Sequence, residues 1–188
     1  RAQLEGLALE IHRSLGPSHV VRLYGEIFGG QYPHPAVPAM PGASAVQTGI
    51  WYAPDIRFAL FDILVEMTEG DEGLFLAHHE VEHFAAPQGR LDRPNEHGIL
   101  LVPLLSRGTR QSLETLPVRF RSRVPNLLGL PELEDNFSEG MVLKPDSRAK
   151  PSERYAVKHK IAEFDEARFD DSAPWGDGAA MGLDALRV

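Results

Sequence analysis

The sequence predicts an α+β domain with mainly antiparallel sheets and flanking helices. Apolar residues recur at helical spacing in some segments, and β-branched and aromatic runs mark strands in others. The two kinds of segment do not alternate in the regular way that builds a doubly wound parallel sheet. The size agrees: 188 residues, 43% hydrophobic and 24% charged, make one globular domain or slightly more.

The elements follow in order. Leu4, Leu7, Ile11 and Leu15 lie on one helical face and the pattern stops at Gly16-Pro17, which predicts a helix over 2–15. Residues 20–28 read as a strand ended by Gly29-Gly30, with Tyr24 and Glu26 on one face. The run 31–48 holds Pro33, Pro35, Pro38, Pro41 and Gly42, too many breakers for a helix or strand, and is expected to be a long surface loop. Residues 58–65, FALFDILV, are apolar around one acid and predict a strand buried on both faces, in which Asp62 needs a partner. Helical character over 73–86 and a second buried strand over 99–105 come next. Leu113, Leu116 and Phe120 then mark a helix begun near Thr109, a favourable N-cap. Strands over 140–144 and 154–160 complete the folded part, 1–165. The remainder, 166–188, is rich in Asp, Gly and Ala and is expected to be a flexible acidic tail.

Composition removes several classes of function. With no cysteine, a disulfide framework, a thiolate zinc site and a cysteine nucleophile are excluded, and the expected location is the cytoplasm or another reducing intracellular compartment. The longest apolar stretch, 99–105, contains a proline and falls far below the roughly 20 residues that span a bilayer, so no membrane partner is expected. The start mixes Glu5, Glu10 and Arg13 into an amphipathic pattern unlike a signal peptide. A net charge of −8 argues against holding nucleic acid by bulk electrostatics. The charge is uneven, however. From Ile161 onward seven acids face two arginines, a charge of −5 that leaves the body at −3. Within the body, Arg107, Arg110, Arg119, Arg121 and Arg123 stand against Glu114 alone, which is either a phosphate-facing patch or a solvated helix face.

Two sets of residues have chemistry in them. His79-Glu80-Val81-Glu82-His83 matches the H-E-x-x-H zinc pattern, which puts two imidazoles on one helical face with a glutamate between. A catalytic zinc needs a third ligand. The longer metzincin pattern fails here, with Ala86 in place of its glycine and Gly89 in place of its last histidine, so incidental surface histidines are the preferred explanation. The second set lies on strands. Glu26 precedes a glycine pair, where a ligand can approach the backbone. Glu139 opens a strand that carries Lys144 five positions later, and Lys158 and Lys160 share a face of one strand by period-two alternation. Two like charges side by side are tolerated when solvated or when an anion lies between them, and with Lys144 nearby the natural anion is phosphate. Together these residues describe a pocket for a magnesium nucleotide: carboxylates for ribose and metal, lysines for phosphates, an aromatic ring for the base.

In order and spacing, YGEIFGG (24–30), FALFDI (58–63), EGMVLKP (139–145) and YAVKHK (155–160) resemble motifs III, IIIa, IV and V of the covalent nucleotidyltransferases. This superfamily contains RNA ligases, DNA ligases and mRNA capping enzymes. The wording is most similar to the RNA ligase 2 family, which includes the trypanosome RNA-editing ligases, and the likeness covers roughly residues 20–165, with LVPLLSRGT (101–109) and LGLPELEDNFSEG (128–140) also taking part. The resemblance implies an ATP-grasp-like adenylation domain and an ATP-dependent RNA ligase that uses Mg²⁺. Glu26 would bind the ribose hydroxyls, Phe61 would stack on adenine, Glu139 would help hold the metal, and Lys144, Lys158 and Lys160 would contact the phosphates. RNA ends, in nicked or duplex RNA, would be the partners, together with a protein supplying a C-terminal domain.

One departure stands out. The family's nucleophile is a lysine of a KxxG motif upstream of motif III, and Arg1 to Val20 contains no lysine. With arginine at position 1, the expectation is that residues 1–165 are an adenylyltransferase domain lacking its motif I segment. The alternatives are a nucleotide- or RNA-binding pseudoenzyme, a DNA ligase of the same superfamily, and a zinc hydrolase built on His79 and His83.

Overall fold

A computed structural model describes residues 2–16, 19–67, 70–85 and 99–164. Helix α1 (Ala2–Leu15) leads into the long antiparallel pair β1 (Val20–Gln31) and β2 (Ala53–Glu66). Strand β2 is the centre of the main sheet: β1 lies on one side, while β3 (Leu74–Phe75, antiparallel) and β4 (Leu100–Leu101, parallel) pair along the other. Helix α2 (His78–Ala85) falls between β3 and β4 in the chain, and the short helices α3 (Arg110–Glu114) and α4 (Val124–Leu127) follow. A separate antiparallel pair, β5 (Gly140–Leu143) and β6 (Val157–Lys160), makes the second sheet. The α+β class and the mainly antiparallel pairing are thus as expected, with β2–β4 a parallel exception.

The main sheet is two-sided. On one face Leu60 and Ile63 pack with Leu7 and Ile11 of α1 and Val81 and Ala85 of α2, and Val21, Leu23, Phe58 and Val65 border this core. The opposite face carries Ala59, which packs with Phe28, Ala53 and Leu100. Strict alternation cannot send Phe58, Leu60, Ile63 and Val65 to one side. A β-bulge does: Tyr24 lies opposite Asp62 but Gly25 lies opposite Leu60, so Phe61 is an extra residue on β2. The bulge shifts the parity by one, which keeps apolar residues on the helix side both before and after it. It also turns Asp62 to the face of Ala59, away from the apolar core into which unbroken alternation would have driven its charge.

Several elements differ from the sequence expectation for identifiable reasons. Strand β1 does not stop at Gly29-Gly30 but runs to Gln31. Those glycines take positive φ of 92° and 90°, and a Cβ on either would lie about as close as 2.2 Å to the Asp55 carbonyl oxygen or 2.0 Å to that of Ser44. They let β2 and the proline-rich loop close onto the strand. Within 73–86, Leu74 and Phe75 pair with Val65 and Leu64, and the helix starts only at His78. Of 99–105, only Leu100 and Leu101 form strand; the Val102 amide still donates to the Leu60 carbonyl, and Pro103 has no N–H to continue. Thr109 does cap α3, its hydroxyl accepting from the Ser112 amide, yet the helix ends at Glu114, short of Pro117. Strand β6 begins at Val157 instead of Arg154 because a 3-10 turn over Pro151–Glu153 precedes it, with Arg154 as its C-cap. The tail expected over 166–188 lies outside the described residues.

Candidate functional site

The face of β2 bearing Asp62 meets the second sheet. Asp62 is 2% exposed, so its charge must be compensated inside the protein. Lys144, just after β5, donates from Nζ to Asp62 Oδ1 at 2.7 Å and to the Phe61 carbonyl at 2.8 Å. Arg154, just before β6, donates to the other carboxylate oxygen and stacks its guanidinium 4.3 Å from the centre of the Phe75 ring. The bulge therefore has two effects: it aims Asp62 at these cations and frees the Phe61 carbonyl for one of them. The Phe61 ring is half-buried. Beside this cluster is a small cavity lined by Asp62, His78, Lys144, Ser147, Arg154 and Tyr155, among others. Burial, reinforced by the Lys144 charge, holds the His78 imidazole below its usual pKa and neutral.

A second constellation couples Glu26 of β1 electrostatically to Glu139, Lys158 and Lys160 of the second sheet. Glu26 is on the same face of β1 as Tyr24, as the alternation predicts, and in register with Ala59 on β2. Glu139 immediately precedes β5 and Lys158 and Lys160 are on β6, opposite Val142 and Gly140 respectively, hence on one face. Gly140 makes the close approach possible: its φ is +151°, and a Cβ there would lie 1.9 Å from the His159 carbonyl oxygen. The groups act on one another. Partial burial raises the Glu26 pKa and the neighbouring Glu139 carboxylate raises it further, while a hydrogen bond from Gln47 and the charges of Lys158 and Lys160 pull it down. Glu26 itself remains open to solvent. Tyr52, edge-on to Phe28 at 5.7 Å, has its phenol pKa raised by burial and by Glu139 and Glu26.

The structure thus brings together Glu26, Glu139, Lys158 and Lys160 from positions far apart in the chain, and it holds Lys144 to one side on Asp62. Neither Gln47 nor Tyr52 nor Arg154 is distinguishable from its sequence context; the apolar run around Asp62 signalled only that this acid needs a partner. Two carboxylates beside two lysines can bind a polyanion through a shared divalent cation. Among the described residues no three His, Cys, Asp or Glu side chains are grouped to hold a metal, so such a cation would draw most of its ligands from outside the protein.

The other sequence candidates are engaged elsewhere. On α2 the His79 ring is 3.3 Å from Asp146, Glu80 takes a bidentate pair from Arg148, and His83 packs edge-on to Phe84. His79 and Glu80 therefore tie α2 to the loop after β5, while His83 packs within the helix. The five arginines of 107–123 each have a protein partner: Arg107 with Glu82 and Asp146, Arg110 with Glu114 and Tyr155, Arg119 with Glu163 and Phe137, Arg121 with Glu132, and Arg123 with the Leu104 carbonyl. Among the described residues no helix is long and apolar enough to cross a membrane.

Comparison with known proteins identifies the family. The chain is similar to RNA-editing ligase 2, mitochondrial, of Trypanosoma brucei brucei, 31% identical over 172 residues that cover 81% of this chain and 39% of that protein. It is also similar to RNA-editing ligase 1, mitochondrial, of the same organism, 29% identical, covering 89% of this chain and 38% of the relative. The chain therefore spans about two-fifths of the length of these curated relatives. The family model described as RNA ligase matches residues 2–160, which takes in α1 and every strand of both sheets, and the chain belongs to the RNA ligase family.

Proposed function

We propose that this chain is the nucleotide-binding part of an ATP-dependent RNA ligase, which joins RNA 5′-phosphate and 3′-hydroxyl ends through lysyl-AMP and RNA-adenylate intermediates. The observation that carries this reading is the electrostatic coupling of Glu26 on the main sheet to Glu139, Lys158 and Lys160 of the second. A nucleotide triphosphate carries both hydroxyls and phosphates, and the site offers an acceptor and donors of matching kind. Glu26 accepts from the ribose hydroxyls, Lys158 and Lys160 balance charge on the phosphates, and Phe61 presents its ring to the base. Lys144 is held by Asp62 and the Phe61 carbonyl, so it acts on the phosphates at longer range and chiefly fixes the strand that carries Phe61. Glu139 would hold part of the coordination of Mg²⁺, which would supply Lewis-acid polarisation of the phosphoryl oxygens.

The chemistry balances as three displacements at phosphorus. A lysine amine attacks the α-phosphate of ATP and pyrophosphate leaves. The RNA 5′-phosphate then takes the AMP and frees the lysine, and finally a 3′-hydroxyl attacks that 5′-phosphorus and AMP leaves. Charge grows on the phosphoryl oxygens at each step, where Lys158 and Lys160 stabilise it. The nucleophile is required from outside this sequence, because its four lysines are Lys144, Lys150, Lys158 and Lys160.

Intact-mass measurement after incubation with ATP and Mg²⁺ tests the reading. The protein containing this chain together with an upstream KxxG lysine is expected to gain one AMP on that lysine. These 188 residues alone are expected to gain none while still binding ATP, more weakly in a Lys158→Ala, Lys160→Ala variant. AMP attached to any of the four lysines here would overturn the assignment of roles. A protein that binds ATP and never acquires AMP would be a pseudoenzyme.

A further inference from the structure

The proline-rich loop between β1 and β2 takes part in the site through one residue. Gln47 Nε2 donates to Glu26 Oε1 at 2.7 Å, while Gln47 Oε1 is enclosed and has no hydrogen-bond partner among the described residues. Glu26 alone therefore dictates which end of the amide faces it, since the flipped amide would set oxygen against oxygen. The loop is pinned on both sides of Gln47. Before it, the Val46 amide donates to the Gly29 carbonyl at 2.9 Å. After it, the Trp51 backbone pairs with the side chain of Asn136, its amide donating to Oδ1 at 2.9 Å and its carbonyl accepting from Nδ2 at 2.6 Å. Asn136 is buried and lies three residues before Glu139. One brace thus connects both carboxylates of the site.

We propose that Gln47 is a positioning residue for Glu26: its side-chain amide, carried on a loop anchored to the segment that bears Glu139, sets the orientation and the charge of the Glu26 carboxylate for ligand binding. The ligand part of this inference rests on the function proposed above; the action of Gln47 on Glu26 does not. The other groups that face Glu26 are Glu139, which opposes its ionisation, and Lys158 and Lys160, which favour it, with the Tyr52 phenol close by. Gln47 is neutral and hydrogen-bonds Glu26 directly, so removing it changes the electrostatics without changing net charge.

The test follows the Glu26 carboxyl by ¹³C NMR titration in the full chain, with the signal assigned by its loss in Glu26→Gln. In Gln47→Met, which keeps the length and removes the donor, the Glu26 midpoint is expected to move to higher pH. In Gln47→Arg, which adds a charged donor, it is expected to move to lower pH. Opposite shifts cannot come from a loop that is merely loosened, and each variant tests the claim if the other fails to fold. ATP affinity in the presence of Mg²⁺ at neutral pH is expected to fall by about tenfold in Gln47→Met, the worth of a hydrogen bond to a charged group. A Glu26 midpoint in Gln47→Met equal to that of the wild type would overturn the role of Gln47 even where ATP binding depends on Glu26. Conversely, ATP binding unaffected by Glu26→Gln would count against the functional reading while the midpoints still judge Gln47.

Discussion

The two charged clusters on either side of the β2 bulge are built for opposite ends. Around Asp62, one buried carboxylate is met by two cations in direct contact, and burial has been answered inside the chain. Around Glu26, two carboxylates repel each other, a neutral amide gives the hydrogen bond, and the lysines act from a distance on a group open to solvent. The first arrangement is one in which removing a charge leaves others stranded; in the second, removing a charge relieves strain. Electrostatic compensation marks the cluster that holds the two sheets together, and its incompleteness marks the cluster prepared for something from outside.

Mutation can break this contrast. The largest expected effect is at Asp62. Asp62→Ala leaves Lys144 and Arg154 without their acceptor and should cost about 3 kcal/mol by denaturant unfolding, at the lower end for a buried pair because both cations keep partial access to water. A change below about 0.5 kcal/mol would show that the cluster is an ordinary surface pairing. Next comes Gly140→Ala, which forces a methyl against the His159 carbonyl within the second sheet; about 2 kcal/mol of destabilisation is expected in the same measurement.

The pH dependence sharpens the comparison further. Because the folded-state pKa of His78 lies below its ordinary value, the unfolded chain takes up its proton first. The contribution of His78 is therefore present in full above its unfolded pKa and is lost as pH falls through that value towards the folded one. Stability profiles between about pH 7 and 5 should be steeper for the wild type than for His78→Asn, and parallel profiles would remove His78 from the account. Glu26 has the reverse sign. Its folded-state pKa is raised, so ionisation costs stability as pH rises above the unfolded value. Glu26→Gln should then be slightly more stable than the wild type at neutral pH, by under about 1 kcal/mol after solvent screening, and equal to it in acid. A destabilised Glu26→Gln would place Glu26 with Asp62 among the structural charges.

Much of this was legible from local pattern. Helix α1, the shared face of Tyr24 and Glu26, the shared face of Lys158 and Lys160, and the Thr109 cap all follow from spacings within a few residues, where side-chain direction is a property of the backbone itself. The order of the four motifs pointed to the family that the comparison bears out. The apolar run around Asp62 even demanded a partner, without naming it. Strand ends were less legible. Residues 99–105 have the composition of a buried strand, yet only two of them find a neighbour on β2.

The sequence by itself determined which residues share a face and that one buried acid must be neutralised, because both depend on chain geometry and on the cost of burying charge. Only the tertiary structure decided that Phe61 is extruded as a bulge, since a bulge is a mismatch between two strands and belongs to neither alone. From that single extra residue follow the turning of Asp62 to the second sheet and the capture of Lys144 and Arg154. The meeting of Glu26 with Glu139, Lys158 and Lys160, and with Gln47 from a loop of prolines, is likewise a matter of which surfaces the two sheets bring together, where separation along the chain carries no information about separation in space.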